Sequence, residues 1–537
     1  MNFRYDPNTE KLIVSKASRI EYHQIKLWLT RHVKGYRFMP AFKLGWNGQK
    51  SWFDNGQVTL GLWRECYNAC KEIETTFKID NKEDFPINRN VTLEDVTEFC
   101  KEFFLHHKFK DSKTGEFQSF MPYDYQIETA YKIIKNRYCM AEVATSGGKS
   151  LIISIVFFYT LKRIDPNAKF LIIVPSINLV TQFYDNIMEY NYGQNMMSDA
   201  DIRDRKIQAL IEDNVGYSPC NIRIEEIMSD RPRKYSGVVS PNVYIGCYQS
   251  LEKWPKKFFE QFYGIATDEA HGAKSTTIKA ILKRTVGTAK LRFGVSGTFP
   301  PDDSAEILGV QEYLGPKITQ IEASLLMKQG TITPVKIKAI LLNHNDNELA
   351  SKLRKVKGAD GAVVYQYEKK YVQASDKRLE FIGKIAKAAN NNMLILFHTI
   401  EYGGKLLDYL KKCCPDKEFH YIDGQINNKS REFIKAEMEK TDKVKILIAS
   451  YGTLSTGVSI KNIHSIIFAD SFKSESLIIQ AIGRALRLFE GKKQAIIFDL
   501  IDIFENDPNN ILYRQFLERE SFYKKRSYPY EIKKISL

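Results

Sequence analysis

The chain has 537 residues, a hydrophobic fraction of 43% and a formal net charge of +15 at pH 7, a size that suggests about three to four domains with sizeable cores. The positive balance points to a polyanionic partner. No signal peptide opens the chain, no apolar run reaches the length of a membrane span, and the eight cysteines show no zinc-site spacing; a soluble, cytoplasmic protein with reduced thiols and no membrane contact is expected.

Residues 1–90 read as a small α+β module. Four of the five tryptophans lie here (Trp28, Trp46, Trp52 and Trp63), and residues 1–65 carry eleven Lys/Arg against five Asp/Glu. Between Gly35 and Phe53 aromatic and basic residues interleave, with Arg37, Lys43 and Trp46 as candidate nucleic-acid contacts. Basic residues beside aromatics suit phosphate contact and base stacking. The same pattern suits aromatics that form a small core under solvated lysines, and both readings stay open. Residues 91–119 read as a helical linker, with a helix over Leu93 to Phe104 and a polar exit.

From about residue 120 short apolar strands alternate with amphipathic helices. Strands are expected at Phe170 to Val174, Val243 to Cys247, Ile265 to Asp268 and Phe293 to Ser296. This βα alternation predicts a doubly wound parallel sheet over 120–330. Between two apolar runs lies Val143-Ala144-Thr145-Ser146-Gly147-Gly148-Lys149-Ser150. A strand, a glycine-containing loop and a helix in that order make a phosphate-binding loop, because backbone N–H groups and the helix N-terminus converge on a triphosphate. Lys149 would reach the β- and γ-phosphates and the Ser150 hydroxyl would ligate Mg²⁺. The strict pattern has glycine six residues before the lysine, where this chain has Val143. Asp268-Glu269 closes a later apolar strand, at the sheet edge where ligands bind. There Asp268 would hold Mg²⁺ through water, and Glu269 would orient and deprotonate the attacking water. Residues 190–240 are polar and read as an insertion without an assigned role.

A second βα set is expected over 331–505, with strands at Met393 to Phe397, Lys445 to Ala449, Ser465 to Ala469 and Gln494 to Phe498. Near its end stands Gln480-Ala481-Ile482-Gly483-Arg484-Ala485-Leu486-Arg487. On a helix, Gln480, Gly483, Arg484 and Arg487 share one face. Two arginines there suit a γ-phosphate that develops charge during transfer. The tail, 506–537, is charged and expected to be partly helical and to pack on the second domain.

These residues resemble the motifs of superfamily 2 helicases and translocases, in the family's order, from about 120 to 505. Ala144 to Ser150 looks like motif I, with Thr145, Ser146, Gly147 and Gly148 around the phosphates. Gln126 looks like the adenine-reading glutamine, with Tyr123 as a stacking partner. Pro175, Ser176 and Gln182 look like motif Ia, and Gln249 and Ser250 like motif Ib. Asp268 to His271 is the DEAH form of motif II, and Ser296-Gly297-Thr298 resembles motif III. His398 falls in a motif IV-like segment, and Ser450, Thr456 and Gly457 in or beside motif V. Gln480 to Arg487 resembles motif VI. The resemblance implies two tandem RecA-like domains, ATP and Mg²⁺ as cofactors, and catalytic roles for Lys149, Asp268, Glu269, Gln480, Arg484 and Arg487. It implies nucleic-acid contacts at Pro175, Ser176, Gln182, Gln249, Ser250, His398, Ser450 and Thr456, and nucleotide contact at Gly457.

The segment Gly35-Tyr36-Arg37-Phe38-Met39-Pro40 and the Gly45-Trp46-Asn47-Gly48 segment narrow this to the UvsW-type helicases of tailed phages. That resemblance covers nearly the whole chain. It implies an ATP-dependent DNA helicase that acts on forks, Holliday junctions and R-loops, including RNA–DNA hybrids. Roles in recombination, repair and replication control follow from it, as does a monomer or weak oligomer in the host cytoplasm. An RNA helicase and the motor subunit of a restriction system are the alternatives.

Overall fold

The computed structural model describes residues 1–110, 117–193, 219–228, 240–345, 361–454, 460–504 and 510–537. The chain forms two compact units, the first made largely of residues up to Ile321 and the second of Glu322–Leu537.

The first unit opens with strands β1 (Asn2–Asp6), β2 (Lys11–Lys16), β3 (Thr30–His32), β4 (Gln49–Ser51), β5 (Gln57–Thr59) and β6 (Lys78–Ile79). They form a four-stranded sheet in the order β5-β2-β1-β6 and a separate β3-β4 hairpin. Phe3, Tyr5 and Leu12 point inward with period two and meet Ile25, Cys66 and Ala69 of two helices. The first helix, Arg19–Trp28, begins with a reciprocal cap between Ser18 and Glu21.

This module does not stand alone. Its core continues into Leu171, Ile265, Ile307 and Leu314 of the neighbouring parallel sheet domain. At the seam the Glu10 carboxylate, in the β1–β2 turn, is buried against the Arg292 guanidinium. Its Oε1 also accepts from the Gly287 N–H at 2.8 Å and the Tyr138 hydroxyl at 3.3 Å. The helix Leu93–Phe103, expected as part of a linker, likewise belongs to the first unit. Val96, Phe99 and Cys100 sit in one core with Ile133 and Phe158. Its amphipathic face found a partner within the same domain. A short antiparallel pair, β7 (Lys108–Lys110) and β8 (Phe117–Ser119), follows.

The sheet of this unit holds β9 (Tyr138–Val143), β10 (Phe170–Val174), β11 (Ile224–Ile227), β12 (Val243–Cys247), β13 (Gly264–Asp268), β14 (Leu291–Ser296) and β15 (Lys317–Ile321). Among the described residues the order is β11-β12-β10-β13-β14-β9-β15, and every pairing is parallel. β9, β10, β12, β13 and β14 are buried at every position. Helices on both faces bury such a sheet, and so these strands read as unbroken apolar runs. Of the polar insertion, only 219–228 and its flanks are described, and they supply edge strand β11.

The second unit repeats the plan with β16 (Val335–His344), β17 (Met393–Phe397), β18 (Glu418–Ile422), β19 (Lys445–Ser450), β20 (Ser465–Phe468), β21 (Ala495–Phe504) and β22 (Tyr530–Ser536). The order is β18-β19-β17-β20-β21-β16-β22, again parallel. Two buried carboxylates on β21 hold helices to the sheet. Asp499 takes Arg519 and the Tyr523 hydroxyl, and Asp502 takes Arg378 and His344. The C-terminal tail contains the expected helix, Ile511–Lys525, and then adds β22 beside β16. No helix among the described residues is long and apolar enough to cross a membrane.

Candidate nucleotide-hydrolysis site

The phosphate loop leaves the C-terminal end of β9 and enters the helix Lys149–Tyr159. That helix is apolar on all sides and buried from Leu151 onward, which fixes its N-terminus at the sheet edge. The loop turns through two left-handed residues, Ser146 (φ 67°) and Gly148 (φ 76°). Glycine at 148 is favoured on two counts. The φ disfavours a side chain, and a Cβ there would lie 2.2 Å from Gln126 Nε2. Gln126 is buried, and its Oε1 accepts the Tyr123 N–H at 2.9 Å. The predicted adenine-reading glutamine therefore touches the phosphate loop. Tyr123 is half exposed and lies parallel to Tyr125, with ring centroids 5.8 Å apart. Thr145 and Gly147 lie in the same loop, and Ser150 Oγ is 3.4 Å from the Tyr190 hydroxyl.

Strand β14 lies between β9 and β13, so three loops meet at one edge of the sheet. Asp268 ends β13, and Glu269 follows in the left-handed region at φ 47°. A non-glycine residue held there is strained, as active-site residues often are. Lys149 Nζ lies 3.8 Å from Glu269 Oε1. On the other oxygen, His271 Nδ1 stands at 3.3 Å and the Ser296 hydroxyl donates at 3.2 Å. Ser296 Oγ is also 3.0 Å from His271 Nδ1, so the serine of the third motif joins both ends of the second.

These contacts separate the two acids. Burial and the neighbouring Glu269 charge push the Asp268 carboxyl well above its ordinary range. Burial also acts on Glu269, but Lys149 and His271 outweigh it and hold that carboxyl low. Glu269 is thus the ionised partner at neutral pH. Asp268 Oδ1 is buried and has no hydrogen-bond partner. An orphaned carboxylate oxygen beside a phosphate loop fits a Mg²⁺-bound water, which would donate to it and restore its charge.

The predicted nucleic-acid residues of the first sheet follow the adjacent strands β10 and β12. Pro175 and Ser176 follow β10, and Gln182 lies on the helix Ile177–Tyr192. Gln249 is exposed after β12, whereas Ser250 is buried, its hydroxyl 3.3 Å from Cys247 Sγ. In the second unit His398 and Ser450 stand at the C-terminal ends of neighbouring strands β17 and β19. The His398 N–H donates to Asp470 Oδ2 at 2.7 Å, and its ring packs on Tyr451. Thr456 and Gly457 lie outside the described residues.

Between β3 and β4, Arg37 and Lys43 are exposed, and Trp46 is partly buried with its indole N–H on the Gln49 carbonyl. The core-forming reading of this module holds for three of its tryptophans. Trp28, Trp52 and Trp63 pack on its core, while Phe38 and Leu44 are 89% and 87% exposed beside the basic side chains.

The helix Glu475–Ala485 begins at the Ser474 cap and carries Gln480 and Arg484. It ends two residues before Arg487, which the sequence placed on the same helical face. Arg487 instead lies beyond the C-cap residue Leu486. Gln480 Oε1 is buried without a hydrogen-bond partner. Sequence reasoning missed Glu10, although its partner Arg292 was visible as a lone charge in an otherwise apolar strand. It also missed Lys317, which links Glu142 of β9 to Asp302 beyond the third motif.

The family model described as Helicase conserved C-terminal domain matches residues 376–489, and the one described as Type III restriction enzyme, res subunit, matches residues 119–301. The chain is 28% identical over 534 residues to the ATP-dependent DNA helicase uvsW of Enterobacteria phage T4, with 96% of each chain covered. The crystal structure of T4 UvsW covers all of both chains at 23% identity, with a TM-score of 0.46. A fragment of a putative HsdR subunit of a type I restriction enzyme from Vibrio vulnificus shares the fold at 15% identity. That match covers 77% of this chain and 69% of the fragment, with a TM-score of 0.51.

Proposed function

The chain belongs to the superfamily 2 helicases and is an ATP-dependent DNA helicase; on that premise we propose that it remodels branched DNA in recombination, repair and replication control. The observation that carries the hydrolytic part is the convergence of Lys149, His271 and Ser296 on Glu269 beside the unpartnered oxygen of Asp268.

In this reading Lys149 and the loop N–H groups hold the β- and γ-phosphates. Mg²⁺, when bound, would be held by the Ser150 hydroxyl and, through water, by Asp268, and it would offset phosphate charge. Glu269 is kept ionised by its neighbours and accepts a proton from the attacking water. Gln126 and Tyr123 receive the adenine. Arg484 and Arg487 of the second domain stabilise charge on the transferred phosphoryl group, and Gln480 assists. The motif Ia, Ib, IV and V residues grip backbone phosphates, and binding is therefore salt-sensitive and largely independent of sequence. Arg37, Lys43 and Trp46, with the exposed Phe38 and Leu44 near them, engage the duplex arms of a junction. The preference for forks, Holliday junctions and R-loops rests on the family resemblance of the sequence motifs, and the likeness to the phage T4 DNA helicase over 96% of both chains supports DNA as the substrate.

ATP hydrolysis by the wild type and by Lys149→Ala tests this, with forked DNA, linear duplex, single-stranded DNA or RNA added. Fork stimulation that is lost in Lys149→Ala is expected. Stimulation by RNA alone would move the chain to the RNA helicases. DNA cleavage during turnover would indicate a restriction-system motor instead.

A further inference from the structure

Arg487 lies past the end of the helix that presents Arg484, so the helical backbone cannot hold it. Two side chains converge on its main chain. The Thr333 hydroxyl donates to the Arg487 carbonyl at 2.8 Å, and Lys492 Nζ donates to the same oxygen at 3.1 Å. The Thr333 N–H takes the preceding carbonyl, that of Leu486, at 2.8 Å. Thr333 is fully buried and Lys492 is 8% exposed. The last carbonyls of a helix lack intrahelical donors, and a cation there is favourable. Lysine carries more freedom than this task requires, and burying it is costly. The turn before it is built for the approach, with Gly491 at φ 72° and the Lys492 N–H on the Phe489 carbonyl.

From these contacts we infer that Lys492, with Thr333, is a positioning residue that holds Arg487 in place for phosphoryl transfer. The inference rests on the proposed role of Arg487 in hydrolysis.

The electrostatics of the cluster agree. Burial and the Arg487 charge lower the Lys492 amine to about 7. Burial and Arg487 lower Arg484 to about 9, and burial lowers Arg487 to about 10. The Glu439 charge opposes the shift at Arg487 and at Lys492. The Arg487 charge acts against Arg484 and Lys492 in a desolvated place, and an arriving anion relieves that repulsion. A segment shaped for an incoming phosphate carries this cost. A surface turn would shed it by exposing the lysine.

The test is steady-state, DNA-stimulated ATP hydrolysis by full-length Lys492→Met, Lys492→Arg, Thr333→Val, Arg487→Ala and the Arg487→Ala/Lys492→Met double variant. Thermal unfolding of each accompanies it. Lys492→Met should lower kcat roughly tenfold, the scale of one charge-assisted hydrogen bond, with KM for ATP little changed. Lys492→Arg should restore most of kcat, and Thr333→Val should fall in the same direction. Arg487→Ala should fall by about a thousandfold or more. The double variant should fall no further, because the lysine acts through the arginine. Wild-type kcat in Lys492→Met, beside an inactive Arg487→Ala, would overturn the positioning role alone. A double variant that loses the product of both effects would overturn it too, since Lys492 would then act on its own. An active Arg487→Ala would reject the arginine reading and the positioning role together. If Lys492→Met unfolds, Lys492→Arg and Thr333→Val carry the same comparison.

Discussion

Replacing Glu10 by glutamine tests whether the N-terminal module and the first sheet domain are one body. Glu10 and Arg292 side chains are 4% and 3% exposed. The glutamine would keep the size and one acceptor oxygen for the Gly287 N–H. It would leave the Arg292 guanidinium buried with its hydrogen bonds to the Tyr313 carbonyl and Thr285 hydroxyl but no counter-charge. Removing one partner of a buried ion pair costs about 3–5 kcal/mol, most of it the penalty of the stranded charge. Glu10→Gln combined with Arg292→Met removes both charges and should recover most of that loss, because apolar replacement of a buried pair is often close to neutral. The non-additive part should be on the order of 2 kcal/mol or more.

Denaturant unfolding followed by tryptophan fluorescence reads this directly, since four of the five tryptophans lie within residues 1–65. The midpoint should fall in Glu10→Gln and rise again in the double variant. A loss below about 1 kcal/mol in the single variant, the scale of an exposed pair, would refute the argument. Strictly additive losses would refute it equally.

Ser296→Ala removes the hydroxyl that bridges Glu269 and His271, so kcat should fall roughly tenfold while ATP affinity holds, as read by steady-state kinetics beside nucleotide titration. His107 is buried, and burial lowers its imidazole to about 4. The unfolded chain then binds the extra proton more readily, so stability is full above about pH 6.5 and is lost as pH falls toward 4, by up to about 3 kcal/mol. In His107→Gln the difference between unfolding midpoints at pH 7 and pH 4.5 should shrink; an unchanged difference would place the acid sensitivity elsewhere.

Much of the candidate site was legible because its parts are local. A buried strand, a loop with glycine at the left-handed position and an apolar helix occupy about twenty consecutive residues, and each leaves its own pattern. The acid after β13 and the serine that ends β14 are equally visible as polar residues that end apolar runs. The arginine beyond the helix Glu475–Ala485 shows the limit of such reasoning. Heptad-like spacing put Arg487 on the face of Arg484, yet the helix stops at Ala485. Residues that differ little in helix propensity give little warning of that stop.

The two parallel sheets and the places of the candidate hydrolytic residues at their strand ends were determined by the sequence itself, because apolar period and loop chemistry act over a few residues. Tertiary structure alone decided that the N-terminal module shares a core with the first sheet, through Glu10 and an arginine 282 positions away. It alone made Tyr530–Ser536 an edge strand beside β16, and brought Thr333 and Lys492 to one carbonyl 154 and 5 positions from them. Contacts of that kind have no local signature. A charge is stable in the interior only where the fold delivers its partner, and an edge strand forms only where another strand offers its hydrogen bonds.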